Sequence, residues 1–268
     1  MRLIIHGGCH KTATTWFQSF CNEYRDEFRT HGVFYPTFDH WNQHSYVVWK
    51  CQAGDYCFFA HLRDEAAAHD CHTVLLSGED FENCLVDIHF AQQIQDSAVG
   101  FDSVEWIFTE REDYIPSLYA ELSKHNVVMA KTTMQRRARE AGFVSVSSQN
   151  FSYIFVFDVR RYARNLARSL DVFVQVLSYR EFRAGFPGRC VLLNVIDAKH
   201  IDAMYEAYKT RELVNERLSS FVVEMNYTKS FLGMRTGYRR WYVQACLNVV
   251  VFPVAVLRYL AVHFQRSL

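Results

Sequence analysis

Two patterns of apolar spacing alternate along the chain, and together they predict its fold class. Short runs rich in branched and aromatic residues at 2–6, 72–76, 104–108 and 173–177 read as buried strands. Between them, apolar residues recur at helical spacing. Trp16, Phe17, Phe20, Cys21 and Tyr24 share one face of a helix over 12–29. Ile115, Leu118, Tyr119 and Leu122 mark a helix that Asp113 can cap and that runs to Lys124, and a further helix is expected over 197–218. The stretch 151–170 carries both signals: Tyr162, Leu166 and Leu170 are helical in spacing, while 153–157 is a strand candidate. Residues 32–43, punctuated by Gly, Pro and Asn, read as loop. Strands that are apolar on both faces and alternate with helices predict an α/β fold, a three-layer sandwich with a mainly parallel central sheet flanked by helices.

Composition narrows the partners. Half of the 268 residues are apolar, enough for a sizeable core, and nothing demands two domains. The expected organisation is one main domain over 1–237 and an apolar helical segment, 238–268, packed on it. Acidic and basic residues balance at 29 each, so bulk charge gives no argument for nucleic acid as a partner, and an anion site must be built locally. Cys9, Cys21, Cys51, Cys57, Cys71, Cys84, Cys190 and Cys246 show no CxxC pair and no zinc spacing. Scattered thiols suit a reducing compartment, and MRLIIHGG is too short an apolar run for a signal peptide, so a cytoplasmic protein is expected. No metal cluster is evident. The most apolar stretch is 241–264; its longest run without charge, 241–257, is broken by Gln244, Asn248 and Pro253 and is marginal against the ~20 residues of a spanning helix. It reads as a buried or partner-facing terminal helix; with Arg235, Arg239 and Arg240 upstream, peripheral membrane contact stays open.

Candidate chemistry concentrates after the first strand, where α/β sheets bind ligands. Gly7-Gly8 permits a tight turn, the next helix offers unpaired N–H groups, Lys11 adds a positive charge, and Thr12, Thr14 and Thr15 add hydroxyls. Together they suit a phosphate or phosphosulfate. The nucleotide triphosphatase pattern G-x-x-x-x-G-K-[ST] does not fit, because His10 precedes Lys11 and Ile5 stands where the first Gly belongs. What stands instead, Lys11-Thr-Ala-Thr-Thr-Trp16, resembles the 5′-phosphosulfate loop K-[ST]-G-T-T of sulfotransferases that use 3′-phosphoadenosine 5′-phosphosulfate (PAPS), with Ala13 in the place of the glycine. The His10-Lys11-Thr12 opening and Gln18 resemble a bacterial-type, carbohydrate-directed branch.

That resemblance implies a P-loop-like fold, PAPS as co-substrate without metal, and a small-molecule or polysaccharide acceptor. Gly8, His10, Lys11, Thr12, Ala13, Thr14 and Thr15 would form the cofactor loop, Lys11 also neutralising charge on the bridging oxygen. The D-Y-I-x-S-L-Y portion of 104–122 resembles the family's 3′-phosphate segment and puts Ser117 in its serine place. The family arginine would fall at Thr109, so Arg111 is the nearest candidate. Glu79, in LLSGEDF, resembles the S-S-E-x-F of bacterial relatives and is the first candidate for the base. His44 is the second, and Asp80 and Ser77 lie in the same turn as Glu79. Lys229, Ser230 and Arg235, in a segment loosely similar to the family's N-x-S-L, are candidates to close over the nucleotide. The rival readings are a P-loop kinase or nucleotide hydrolase, and a degenerate sulfotransferase-fold module without turnover.

Overall fold

A computed structural model describes residues 1–38, 43–124, 127, 129–147, 152–209, 220–231 and 251–257. The chain forms two compact units, Met1–Glu112 with Ile154–Leu213, and Asp113–Tyr153 with Val214–Leu268. The expected boundary at 237 lies outside the described residues.

The first unit is built on five parallel strands: β1 (Arg2–Gly8), β2 (Val33–Phe34), β3 (Thr73–Ser77), β4 (Ser103–Glu110) and β5 (Phe173–Ser178). Their order, β2-β3-β1-β4-β5, places β1 at the centre, with the chain stepping first to one side and then to the other. Ile4 pairs with Leu75 on one side and Glu105 on the other. Side chains of that parity, Ile4, Leu75, Ile107 and Leu177, pack on Phe17, Phe20 and Cys21 of the first helix, α1 (Thr14–Glu23), and on Phe28, Phe182 and Ile201. The opposite parity gives Leu3, Ile5, Val74, Leu76, Trp106 and Phe108, all buried, with Phe81 set edge-on to Trp106. Helices Phe58–Ala68 and Val159–Leu170 pack against the strands. The result is an all-parallel sheet with flanking helices, consistent with a three-layer sandwich.

Three local differences from the sequence pattern matter. The helix expected over 12–29 begins two residues later and is broken at Tyr24, whose φ of −102° and ψ of 20° separate α1 from Arg25–Thr30. The loop expected over 32–43 contains β2, a two-residue edge strand paired with Thr73 and Val74. The ambiguous stretch 151–170 is strand, Ser152–Val156, then helix, Val159–Leu170, with the Asp158 carboxylate accepting from the Arg161 N–H at 3.2 Å.

In the second unit, Tyr114–Lys124 packs with Ser220–Phe231. Tyr119 donates to Glu224 at 3.4 Å, and its ring lies 5.5 Å from that of Tyr227. Of the apolar C-terminal stretch, residues 251–257 are helical; Val251 and Ala255 are buried beside Met225, and Phe252 and Leu257 are exposed. Among the described residues, no helix is long and apolar enough to cross a membrane.

Candidate functional site

The carboxyl ends of β3, β1 and β4 converge on the loop Gly8–Thr15. Gly8 closes β1 at φ +128°, and the Cys9 N–H returns to the Thr109 carbonyl at 2.9 Å. Lys11 and Ala13 are both left-handed, at φ 66° and 67°, with Thr12 at negative φ between them. Such alternation turns successive N–H groups to one side and makes an anion-binding concavity. Ala13 gives α1 no side-chain cap, and the first turn holds no acidic residue, so the helix's first N–H groups are left for a ligand. The hydroxyls are arranged differently from expectation. Thr12 is buried and donates to the Cys9 carbonyl at 2.8 Å, and Thr14 donates to Glu79, leaving Thr15 as the exposed hydroxyl.

Ala13 holds a left-handed conformation that glycine adopts without a Cβ penalty. A side chain in this region costs roughly 1–2 kcal/mol, and a glycine would relieve it while losing more entropy on folding. Ala13→Gly is expected to raise stability by up to about 1 kcal/mol, read as a higher denaturant midpoint at unchanged slope. A lower midpoint would show that the loop does not hold this conformation in solution.

Beneath the loop lies a residue that motif reasoning missed. His6 shares the core-facing parity of Ile4, and its ring is buried between the strands. Its Nδ1 lies 2.9 Å from Ser77 Oγ, and its Nε2 lies 3.1 Å from Thr109 Oγ1. The ring stacks on Phe182 at 5.2 Å and meets Phe17 edge-on. Burial drives its pKa down to about 4, so it is neutral. One imidazole thereby ties the ends of three adjacent strands. This also explains position 109: Thr109 is buried and committed to His6, so it does not face a ligand as the family arginine would. The available signal was a polar residue at a core-parity position of an otherwise apolar run.

The turn Glu79–Glu82 brings acids to the loop. Glu79 receives the Thr14 hydroxyl, and its Oε2 lies 3.3 Å from His10 Nδ1. Burial alone would lower the His10 pKa, but the charge and hydrogen bond of Glu79, with Glu82 and Asp80 behind, raise it to about 9. Burial would raise that of Glu79, but His10, Thr14 and Lys11 hold it below the usual range. Burial pushes Asp80 up to about 6 despite His10 and a 2.6 Å bond from the Trp49 indole, and pushes Glu82 up to about 8. Glu82 Oε1 accepts from the Val156 N–H at 2.6 Å. At neutral pH the loop thus gathers Lys11, protonated His10 and Arg111 against the carboxylates of Glu79 and Asp80, while Glu82 is largely neutral.

His44 takes a different place from the one expected of a base. It is buried; its Nε2 donates to the Pro36 carbonyl at 2.9 Å and its Nδ1 accepts from the Ser77 N–H at 2.7 Å. Both nitrogens serve backbone, and burial lowers the pKa to about 4, so the ring braces the end of β3 and has no nitrogen left to accept a substrate proton. Ser77 is likewise turned inward, toward His6 and Gln18.

Arg111, just beyond β4, donates to the Lys11 carbonyl and lies 4.8 Å from the Tyr179 ring centroid. Its neighbour Glu110 pairs with Arg160 at 2.6 Å. Arg111 is therefore at the loop despite falling two positions late. Ser117 belongs to the second unit, where its hydroxyl donates to the Tyr114 carbonyl at 3.0 Å. Lys229 and Ser230 lie on the helix Ser220–Phe231, and Arg235 lies outside the described residues. A polar depression of about 390 Å³ lined by His31, Asn194 and Asp197 opens near the start of β1, at the sheet end opposite the loop. Comparisons with protein-family models, curated proteins and solved structures found no match for this chain.

Proposed function

We propose that the chain is a sulfotransferase with a P-loop-like fold, moving a sulfuryl group from PAPS to an acceptor hydroxyl on a carbohydrate. The observation that carries this reading is the Gly8–Thr15 loop: alternating left-handed residues, an uncapped helix start, and Lys11 and protonated His10 within it. These residues fit a 5′-phosphosulfate, held by the N–H groups of Lys11 to Thr15 and the Thr15 hydroxyl. Arg111 is assigned the 3′-phosphate.

PAPS, when bound, supplies the sulfuryl group and a phosphate as leaving group. Lys11 neutralises the charge that develops on the bridging oxygen. Glu79 takes the acceptor's proton as the acceptor oxygen bonds to sulfur and the bond from sulfur to the bridging oxygen breaks. Thr14 couples these roles, because it has one hydroxyl proton to give. Donated to Glu79, it holds that carboxylate low. Donated to the 5′-phosphate, it releases Glu79 beside new negative charge, and both changes raise the pKa toward that of a useful base. His44 braces the strand end and is no longer assigned as base.

Titration with adenosine 3′,5′-bisphosphate, and separately with ATP and Mg²⁺, tests the reading. Tight binding of the bisphosphate supports it; binding of ATP alone overturns it in favour of a kinase or hydrolase. The buried Thr109 favours one second reading, a module of this fold that does not turn over PAPS. That reading gains if neither nucleotide binds.

The raised pKa of His10 gives a pH prediction. Its positive charge is fully present at pH 7 and is lost as pH rises through about 9. Affinity for the bisphosphate is expected to fall several-fold over that interval, and His10→Gln to remove the step. A wild-type affinity that stays flat past pH 9 counts against a charged His10 at the anion site.

A further inference from the structure

The helix Val159–Leu170 carries four arginines and no acidic residue. Val159, Ala163 and Leu166 are buried, while Arg160, Arg164 and Arg168 are exposed. At one residue per four, the three stand about 6 Å apart along one stripe. Local physics opposes this arrangement. Like charges at i and i+4 repel, and Arg160 and Arg161 sit in the first turn, where the helix dipole favours acids. The acids facing the helix neutralise its beginning: Glu110 pairs with Arg160, Glu181 adds a weaker attraction, and Asp158 lies 3.6 Å from Arg161. Arg161 also lies over the Tyr162 ring at 4.7 Å. Among the described residues, Arg164 and Arg168 have no ion-pair partner. The chain has equal numbers of acids and bases, so the two arginines without an ion pair on this stripe, Arg164 and Arg168, are a local feature and not a consequence of overall charge.

The stripe starts at the candidate site. Arg160 is bonded to Glu110, and the next residue, Arg111, is bonded to the Lys11 carbonyl. The arginines therefore lead away from the sulfuryl-transfer loop along one helix. We propose that this stripe holds the acceptor chain, and that the acceptor is a linear anionic polysaccharide bearing carboxylate or sulfate groups; this rests on the sulfotransferase reading. Guanidinium forks match both anions in bidentate geometry. Their spacing is comparable with that of successive sugar residues in an extended chain. Single-stranded nucleic acid fits less well, because it calls for aromatic platforms between the cations, and the one aromatic on this helix, Tyr162, is covered by Arg161.

The test uses the full chain and the double variant Arg164→Gln/Arg168→Gln, which leaves Arg160, Glu110 and the loop untouched. Binding is measured for a heparin-derived hexasaccharide, neutral dextran and a dT12 oligonucleotide over a salt series, with adenosine 3′,5′-bisphosphate alongside. The wild-type chain is expected to bind the hexasaccharide in preference to dT12 and dextran. The double variant is expected to lose about tenfold in affinity and about two counter-ions of salt slope, with bisphosphate affinity unchanged. Equal hexasaccharide binding by both proteins overturns the proposal. So does dT12 binding as tight and as sensitive to the variant, which makes the stripe a nucleic-acid surface, or dextran binding equal to that of the hexasaccharide. If the bisphosphate binds while the hexasaccharide arm fails, only the acceptor assignment falls; if the bisphosphate does not bind, the sulfotransferase reading falls with it.

Discussion

On the proposed sulfotransferase reading, replacing Lys11 by Met is expected to cut PAPS turnover about a hundred- to a thousand-fold, equivalent to about 3–4 kcal/mol of transition-state stabilisation. Methionine keeps the length of the stem and removes the charge, so the left-handed backbone at φ 66° faces the same steric demand before and after. The loss should fall on kcat. A charge that develops on the bridging oxygen as sulfur departs is stabilised in the transition state more than in the ground state, and only such differential interactions speed the chemical step. Binding of adenosine 3′,5′-bisphosphate, which the proposed reading also assigns to backbone N–H groups and Arg111, should weaken far less. The measurement is steady-state release of the bisphosphate from PAPS beside a calorimetric binding curve. Unchanged kcat would remove Lys11 from the chemistry, and equal losses in turnover and product binding would reduce it to a general anion contact.

Much of the sheet was legible because its strands are buried on both faces and leave uninterrupted apolar runs. The runs at 2–6, 72–76, 104–108 and 173–177 each lie on a strand of the parallel sheet, within one or two residues at the ends. Period does not reveal backbone sign. The helical apolar spacing extends back toward Thr12, but left-handed Ala13 keeps residues 12 and 13 in the loop. Two residues of β2 are too few for any pattern to register. Helix Lys131–Glu140 buries Met134 alone, so it had almost no apolar stripe to read. The site divides in the same way. A contiguous motif singled out the loop at 8–15, where the structure has left-handed backbone at Lys11 and Ala13. Pairings across long sequence separations stayed hidden: Thr14 with Glu79, His10 with Glu79, Arg111 with the Lys11 carbonyl, and His6 with Ser77 and Thr109. Each depends on which strands are neighbours, and strand order is not written locally. His44 shows the converse. Its residue type and loop position suggest a base, and only its two backbone partners reveal that both nitrogens are spent.

The loop's dependence on β4 gives the largest expected structural effect, from Gly8→Ala. Gly8 sits opposite Thr109 in the ladder, at φ +128°, where side chains are rarely tolerated. A methyl group there would lie 2.4 Å from both the nitrogen and the oxygen of Thr109. These are backbone atoms of a central strand, and the Thr109 side chain is tied to His6, so they have little freedom to move aside. Relief requires β1 and β4 to separate at the point where the Cys9 N–H meets the Thr109 carbonyl. The cost should exceed about 4 kcal/mol, in the range reserved for overpacking and backbone strain in a core, which corresponds to a melting temperature lower by about 10 °C or more. Gly54→Ala isolates the conformational part. Gly54 also has positive φ, at +84°, but a methyl group there meets nothing within 4 Å. Its cost should be about 1 kcal/mol. Thermal denaturation of the two variants side by side separates strain from collision. If Gly8→Ala melts within a degree or two of Gly54→Ala, the close approach of β1 and β4 at the loop is wrong. If it melts far lower, the Gly8–Thr15 loop is held in place by that approach, and on the proposed reading displacing it should also abolish bisphosphate binding in whatever fraction remains folded.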